Sequence, residues 1–240
     1  MSANSSAKRQ GTDEPRCGTL CTNMFQPEDP NPMHSNDLPG SHTRRAILKI
    51  GAGLAGVLIA GPALAQVKPA PIGTIEEIRG EVCAEQGGER RALVPKGDVF
   101  VGDVLNNARL VLKLGAATTI KLGAQTRLKI DRYLAETGGE FDMQAGHVMF
   151  ERKGKPATDG ITFRSVYGLL AVRGTRFYAG QNRGAFALLV GEGKVEMTAA
   201  NRTVMVLPQQ GIDIKAPGAP PTVPAAWAVP RIREMQGNFR

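Results

Sequence analysis

The sequence predicts an all-β body, a sandwich or β-roll of about 10–14 short strands, and three observations support that fold class. Apolar and polar residues alternate with period two in short runs from Ile72 to Ile214. Turn residues, mostly glycine or aspartate, interrupt these runs every eight to ten residues or so, as in sandwiches and barrels. Aromatic residues make up 5% of the 240-residue chain, whereas 29 glycines and 16 prolines favour turns over long helices.

The predicted strands follow one another along the body, and their inward faces carry aliphatic or aromatic residues. We expect a hairpin at 191–193, where Gly-Glu-Gly separates two alternating runs. The apolar positions that define the strands are Ile75, Ile78, Val82, Val99, Val101, Leu110, Leu112, Leu114, Val148, Phe150, Ile161, Phe163, Phe186, Leu188, Val190, Val195, Met197, Val204, Val206, Ile212 and Ile214.

An aliphatic–lysine–aliphatic pattern recurs three times at a spacing of eight residues. Each copy places two aliphatic side chains on one face of a strand and a lysine on the other. If the copies are neighbours, Lys113, Lys121 and Lys129 form a basic row that would suit an anionic polymer or an acidic protein surface. The favoured interpretation is structural, because lysine also keeps an exposed sheet soluble and blocks edge-to-edge pairing.

The N-terminal part of the chain predicts export to the periplasm. Residues 1–43 form a polar region without apolar periodicity, expected to be disordered, and Arg44 and Arg45 then precede a weakly apolar stretch rich in glycine and alanine. That stretch ends in a small-x-small site at Ala63 and Ala65, so 44–65 predicts a signal peptide that is cleaved after Ala65. The paired arginines resemble a twin-arginine signal.

Two alternatives for this leader stay open. An uncleaved anchor helix is disfavoured because the apolar stretch is short for crossing a bilayer. Translation from Met33 would give a signal peptide with a lead-in of more usual length. Either way, the predicted body is 66–215, followed by a proline-rich tail at 216–240.

Composition and motifs argue against catalysis, and we predict no catalytic residue, cofactor or metal site. The whole chain has a formal net charge of +8, but basic and aromatic residues are not interleaved as nucleic-acid binding requires. Once the leader is removed, His147 and Cys83 are the sole imidazole and the sole thiol, so no internal disulfide is expected. Asp98 and Asp103 are too few for a calcium loop. No stable transmembrane helix is expected after cleavage.

Residues 170–177 of the body have the sequence LAVRGTRF. This segment is similar to v-R-G-T-x-F, a motif of the FecR domain of bacterial periplasmic proteins. Further similar segments follow the family's order over roughly 72–215: 73–82, 96–105, 108–122, 145–150 and 189–195. The resemblance implies a FecR domain. Family members that regulate extracytoplasmic sigma factors carry an anti-sigma segment before a membrane helix, and residues 1–43 are too short and polar to match it.

The motif supplies the candidate interaction residues. They are Arg173, Gly174, Thr175, Arg176 and Phe177. Gly174 would permit a positive φ or a close approach of another strand, and Thr175 can hydrogen-bond back to the turn. Arg173 can clamp loop carbonyls or a carboxylate such as Asp98 or Asp103, which is the favoured interpretation. Alternatively, Arg173 and Arg176 face a partner.

These observations predict a non-catalytic, exported FecR-like domain that acts as a protein-binding or envelope-associated module. Its expected partner is a protein of the cell envelope, contacted through a sheet edge or loops, or peptidoglycan, contacted through a basic face. The alternative function is a periplasmic sensor or regulator of an extracytoplasmic sigma factor or of an iron-uptake signalling system. In the tail, Trp227 is expected to dock on the body rather than to anchor a partner.

Overall fold

The computed structural model describes residues 69–106, 109–155 and 157–240, apart from the side chains of Gly174 and Thr175. The predicted export signal, with Arg44, Arg45, Ala63 and Ala65, lies outside these residues.

The predicted all-β class is confirmed. The described residues form sixteen strands and one short helix, more strands than expected because several span only two to four residues. They are β1 (Gly73–Arg79), β2 (Cys83–Gln86), β3 (Glu89–Ala92), β4 (Asp98–Val99), β5 (Val104–Asn106), β6 (Arg109–Leu114), β7 (Thr118–Leu122), β8 (Arg127–Leu134), β9 (Gly138–Ala145), β10 (His147–Arg152), β11 (Gly160–Ser165), β12 (Gly168–Asn182), β13 (Ala185–Ala199), β14 (Arg202–Val206), β15 (Gln210–Ile214), β16 (Ala225–Ala226) and α1 (Val229–Gly237).

Two long strands, β12 and β13, are shared by two half-sheets. Residues 169–173 of β12 lie between β11 and the second half of β13, whereas 176–182 lie between β10 and the first half of β13. The β14 half-sheet has the order β3-β2-β5-β8-β9-β11-β12-β13-β14. The β15 half-sheet has the order β4-β1-β6-β7-β10-β12-β13-β15-β16. All of these pairs are antiparallel except β9 with β11.

The long pair bends where its register shifts, between Arg173 and Phe177. The expected hairpin at 191–193 is therefore wrong, because β13 runs through this segment without turning back. Gly193 has a φ of 77°, a conformation that glycine adopts readily and that is typical of a bulge. The Gly-Glu-Gly sequence thus bends a strand and passes it from one half-sheet to the other.

The two half-sheets face each other across one apolar core. Phe163 of the β14 half-sheet contacts Phe177 and Phe150 of the β15 half-sheet, with ring centroids 5.2 Å and 5.6 Å apart. The Tyr133 hydroxyl donates a hydrogen bond of 2.9 Å to the Leu114 carbonyl on the opposite half-sheet. All three phenylalanines are at most 1% exposed, so the aromatic side chains hold the layers together at their centre.

The C-terminal segment packs on the outer face of the β15 half-sheet. Its prolines lie mainly before β16 and at the start of α1, where a missing backbone N–H is tolerated. Met235 of α1 is fully buried in a small cluster with Met149, Tyr178, Ala187 and Leu189. The tail is therefore more than the extended segment that its composition predicted.

Trp227 docks on the body, as expected. It lies against Gly211 of β15, where a Cβ atom would collide with the indole ring. The Arg231 guanidinium covers the indole at 3.7 Å from its centroid and forms an ion pair with Asp213.

Within the described ranges, no helix has the length and apolar composition that crossing a bilayer requires.

Candidate functional site

The family motif lies on β12, and its Arg173 projects from the outer face of the β14 half-sheet. Arg173 is paired in register with Lys194 of β13, and on the same face Glu196 lies between Ala171 and Met205. These five residues line a shallow groove, which we call the motif groove. Strand pairing thus brings residues of β12, β13 and β14 to one surface.

The motif groove presents positive charge that its own surroundings do not neutralise. Arg173 and Lys194 are both exposed, and neither forms an ion pair with any residue that the structure describes. Glu196 supplies the one carboxylate of the lining. Next to these charges, Ala171 and Met205 give the groove an apolar part, and Met205 is 40% exposed. The groove therefore suits a ligand that combines an acidic group with apolar side chains.

The expectation that Arg173 clamps Asp98 or Asp103 is wrong, because Arg91 of β3 occupies that position. Arg91 forms an ion pair with Asp103 and donates a hydrogen bond of 2.9 Å to the Asp98 carbonyl. Its guanidinium carbon lies 5.0 Å from the Phe100 ring centroid. Nothing in the charged run of β3 distinguishes Arg91 from a solvated side chain, so sequence reasoning missed it.

Asp103 is fully buried beneath this arginine. Its Oδ2 accepts hydrogen bonds from Arg91 and from the Phe100 N–H, whereas Oδ1 has no hydrogen-bond partner among the described residues. Burial raises the pKa of the Asp103 carboxyl, and the Phe100 hydrogen bond and the Arg91 charge counteract only part of that effect. Asp103 thus has a structural role, holding the loop before β5 to β3.

Arg176 and Phe177 are held within the domain. Arg176 forms an ion pair with Glu192 across the β12–β13 pair. Phe177 is fully buried and stacks on Phe150 with centroids 5.6 Å apart. Gly174 and Thr175 lie between them and Arg173, where the register shifts. Of the side chains described between Arg173 and Phe177, that of Arg173 is the exposed one.

The predicted row of lysines does not form. Lys113 and Lys121 lie on neighbouring strands of the β15 half-sheet, but Lys129 lies on β8 in the other half-sheet. Lys113 and Lys129 also have partners at 2.6 Å, the carboxylates of Glu76 and Asp131. The hydrogen bond to Asp131 raises the pKa of the Lys129 ammonium. A shared sequence spacing predicted a shared strand pattern and could not predict which strands are adjacent.

His147 and Cys83 have structural environments. The His147 Nε2 atom lies 2.7 Å from the Gln181 carbonyl oxygen, and its ring lies edge-on to Phe239 with centroids 6.4 Å apart. Cys83 is buried and disulfide-bonded. The expectation of no internal disulfide refers to the chain after cleavage at Ala65 and stays a prediction. Over the part of the chain that the structure describes, no three His, Cys, Asp or Glu side chains are grouped to hold a metal ion.

The fold and the groove define an all-β domain whose motif at 170–177 is divided between the core and an exposed surface. In a direct comparison, residues 103–196 match the family model described as FecR protein. The match extends from the buried Asp103 through the motif to Glu196 in the groove.

Two crystal structures of a protein described as a candidate anti-sigma factor from Parabacteroides distasonis are similar to this chain. Sequence identity is 17% and the TM-score is 0.43, and the alignment covers 51% of this chain. The chain spans 57% of the length of that protein. Among curated proteins, none matches the sequence significantly.

Proposed function

We propose that this FecR domain is a non-catalytic, protein-binding module of the bacterial envelope and that it contacts its partner through the motif groove. One observation carries the proposal: Arg173 of the family motif is exposed beside Lys194, and neither has an acidic partner among the described residues. The FecR match supports a role in regulation or signalling.

The chemistry of the groove favours a protein partner. An arginine offers five donors in a planar fork that fits a carboxylate, and arginine is enriched among residues that dominate binding energy. Ala171 and Met205 add apolar surface next to the charges. Peptidoglycan is the less favoured ligand, because the lysines that would have met an anionic polymer are separated between the two half-sheets.

The location follows from the leader. Arg44 and Arg45 direct the chain to the twin-arginine route, and cleavage after Ala65 releases the domain into the periplasm. The partner is then a protein of the periplasm or of a membrane face that borders it.

A second candidate function is regulation of an extracytoplasmic sigma factor or of an iron-uptake signalling system, and the FecR match favours it. This function uses the same groove with a membrane-bound signalling protein as the partner. A change in the transcripts that the sigma factor controls, in cells carrying a groove variant, would support it. Unchanged transcripts would refute it while leaving the binding function intact.

The test is co-purification of the full chain from the native envelope. The double variant Arg173→Glu, Lys194→Glu reverses the groove charge and should lose a captured protein that the parent chain retains. Lys113→Glu with Lys121→Glu reverses two charges on the β15 half-sheet, so this double variant is the matched control and should retain the protein. Retention of the same protein by the double variant would refute the groove as the contact. Sedimentation with purified peptidoglycan, released by salt, would instead support the wall polymer as the ligand.

A further inference from the structure

Among the described residues, four strands are edge strands of the hydrogen-bonded sheet: β3, β4, β14 and β16. Proteins usually protect such edges with short strands, charges or prolines. Strands β4 and β16 contain two residues each, and three of the four residues of β3 are charged. Strand β14 differs, because it has five residues and carries neither charge nor proline from Thr203 to Val206. It is the least protected of these edges.

The backbone of β14 has hydrogen-bonding groups available at this edge. A two-residue turn at Ala200 and Asn201, with φ values of 47° and 60°, joins β13 to β14, and Ala199 pairs with Arg202 to close it. The pair that closes such a turn is hydrogen-bonded, and bonded and non-bonded pairs then alternate. Thr203 and Met205 therefore direct their N–H and C=O groups away from β13, towards the free edge.

The free edge adjoins the motif groove, since Met205 belongs to both. A strand added to β14 would lie about 10 Å from β13, two strand spacings away. An extended lysine and an extended glutamate together span such a distance. Lys194 precedes Val195, which pairs with Val206 at the end of β14, so Lys194 lies within reach of an acidic side chain where the added strand extends past that end. Arg173, which is paired with Lys194, adds to the positive field there.

Resting on the proposed function, we infer that the partner adds an extended, acidic segment to β14 as a further strand of the β14 half-sheet. Main-chain hydrogen bonds to Thr203 and Met205 supply affinity, and a carboxylate facing Lys194 supplies selectivity. A second copy of this chain is a poorer occupant, because its own β14, Arg202–Val206, contains no acidic residue.

Hydrogen exchange and fluorescence anisotropy on the full chain test this inference. The probe is a fluorescein-labelled peptide of eight residues that alternates valine with glutamate. It should bind and slow amide exchange at Thr203 and Met205. A peptide that alternates valine with lysine should bind at least tenfold more weakly, and so should the acidic peptide methylated on its backbone nitrogens.

Substitutions at one position separate the backbone from the side chain. Met205→Pro removes an edge N–H and should weaken binding of the acidic peptide at least tenfold. Met205→Thr removes the same side chain but keeps that N–H, so it should bind the acidic peptide at least threefold more tightly than Met205→Pro does. Lys194→Glu should reverse the preference between the two peptides. Thermal melting of each variant verifies that it is folded.

The inference is overturned if the acidic peptide does not bind at millimolar concentration, if it binds without protecting Thr203 and Met205, or if folded Met205→Pro binds like the parent chain. A doubled molecular mass that Met205→Pro abolishes would overturn it in favour of a second copy. If folded Met205→Pro still captures the envelope protein, strand addition is refuted and the proposed function stands. If the peptide protects the edge but the parent chain captures no envelope protein, the proposed function fails and the inference fails with it.

Discussion

At the scale of single residues, Arg91 of β3 and Asp103 of the loop before β5 illustrate how a positive charge compensates a buried carboxylate. Asp103 has no exposed surface, so its ionised form is disfavoured, and Arg91 reduces that penalty without abolishing it. The exposed Arg173, in contrast, has no such partner among the described residues and remains available to a ligand.

The raised pKa of the Asp103 carboxyl predicts a definite pH dependence. The native state binds this proton more tightly than the unfolded state, where the pKa is near 3.8. The stabilising contribution is therefore complete below that value and is lost as pH rises through the native pKa. Relative to Asp103→Asn, the parent chain should gain unfolding free energy as pH falls from 7 towards 4. Urea denaturation across this range measures the unfolding free energies, with Asp98→Asn, at an exposed carboxylate, as the control. A difference between the parent chain and Asp103→Asn that does not change with pH would contradict the raised pKa of Asp103.

Removal of Arg91 should destabilise the fold. Arg91→Ala leaves the Asp103 carboxylate buried without its counter-ion, and we expect a loss of about 1–3 kcal/mol in unfolding free energy. Arg90→Ala, on the same strand, removes only an ion pair of 3.9 Å between exposed or half-buried groups and should cost less than about 1 kcal/mol. Equal losses for the two variants in chemical denaturation would argue against a special role for Arg91.

The paired arginines of the leader give a prediction for export. Arg44→Lys with Arg45→Lys should leave the precursor in the cytoplasm, because the twin-arginine route requires the arginine pair. Immunoblots of cytoplasmic and periplasmic fractions measure this, and Arg79→Lys, outside the motif, is the control. A processed periplasmic product from the double variant would rule out this route.

At the scale of elements, the C-terminal segment is held by side chains as well as by the β15–β16 pairing. Glu234 of α1 accepts hydrogen bonds from Arg183 at 2.9 Å and 2.8 Å and from Asn182 at 3.2 Å. A nine-residue helix is marginal by itself, so burial of Met235 and these polar contacts stabilise α1 where it lies.

Trp227 is the sole tryptophan of the chain, and its fluorescence therefore reports the docking of this segment. Met235→Asp introduces a charge into a fully buried site and should release the segment, at a cost of more than about 2 kcal/mol. The expected result is a red-shifted emission with the β-sheet circular dichroism retained. Arg233→Ala, exposed on the same helix, should leave the emission unchanged. An unshifted spectrum for Met235→Asp would show that α1 does not control Trp227.

Local sequence patterns predicted strands well and predicted their partners poorly. Period-two alternation defines a strand because successive side chains point to opposite faces, and burial alternates in this way along β6, β7 and β11. Gly-Glu-Gly at 191–193, however, is compatible with a turn or with a bulge, and the pairing of β13 decides between them. The position of Lys129 likewise depends on pairing with β5 and β9, which an eight-residue spacing does not encode.

At the scale of the whole molecule, the aromatic cluster joins the half-sheets. Phe163 contacts Phe141 at 4.8 Å between centroids and also meets Phe150 and Phe177 from the opposite half-sheet. Phe163→Ala should therefore reduce the unfolding free energy by about 3–5 kcal/mol. Leu134→Ala, at a side chain that is 54% exposed, should change it by less than about 0.5 kcal/mol. Similar midpoints for both variants in denaturant would contradict the two-layer core.

The candidate site was predictable only in part. The motif at 170–177 identified β12 and Arg173, because its residue order is distinctive within a single strand. Lys194, Glu196 and Met205 carry no motif of their own and reach the groove through pairing with β12 and β13. A surface assembled from three strands depends on long-range register, which becomes visible once the strands are paired.

Photo-cross-linking in intact cells tests most directly whether this domain works by contacting another protein at the motif groove. A benzophenone amino acid at position 194 should give a covalent adduct with an envelope protein, and the same group at position 121 of the other half-sheet should not. The account predicts an adduct at 194 that disappears when Arg173 is changed to Glu. The absence of any protein adduct at 194, or equal adducts at both positions, would contradict it.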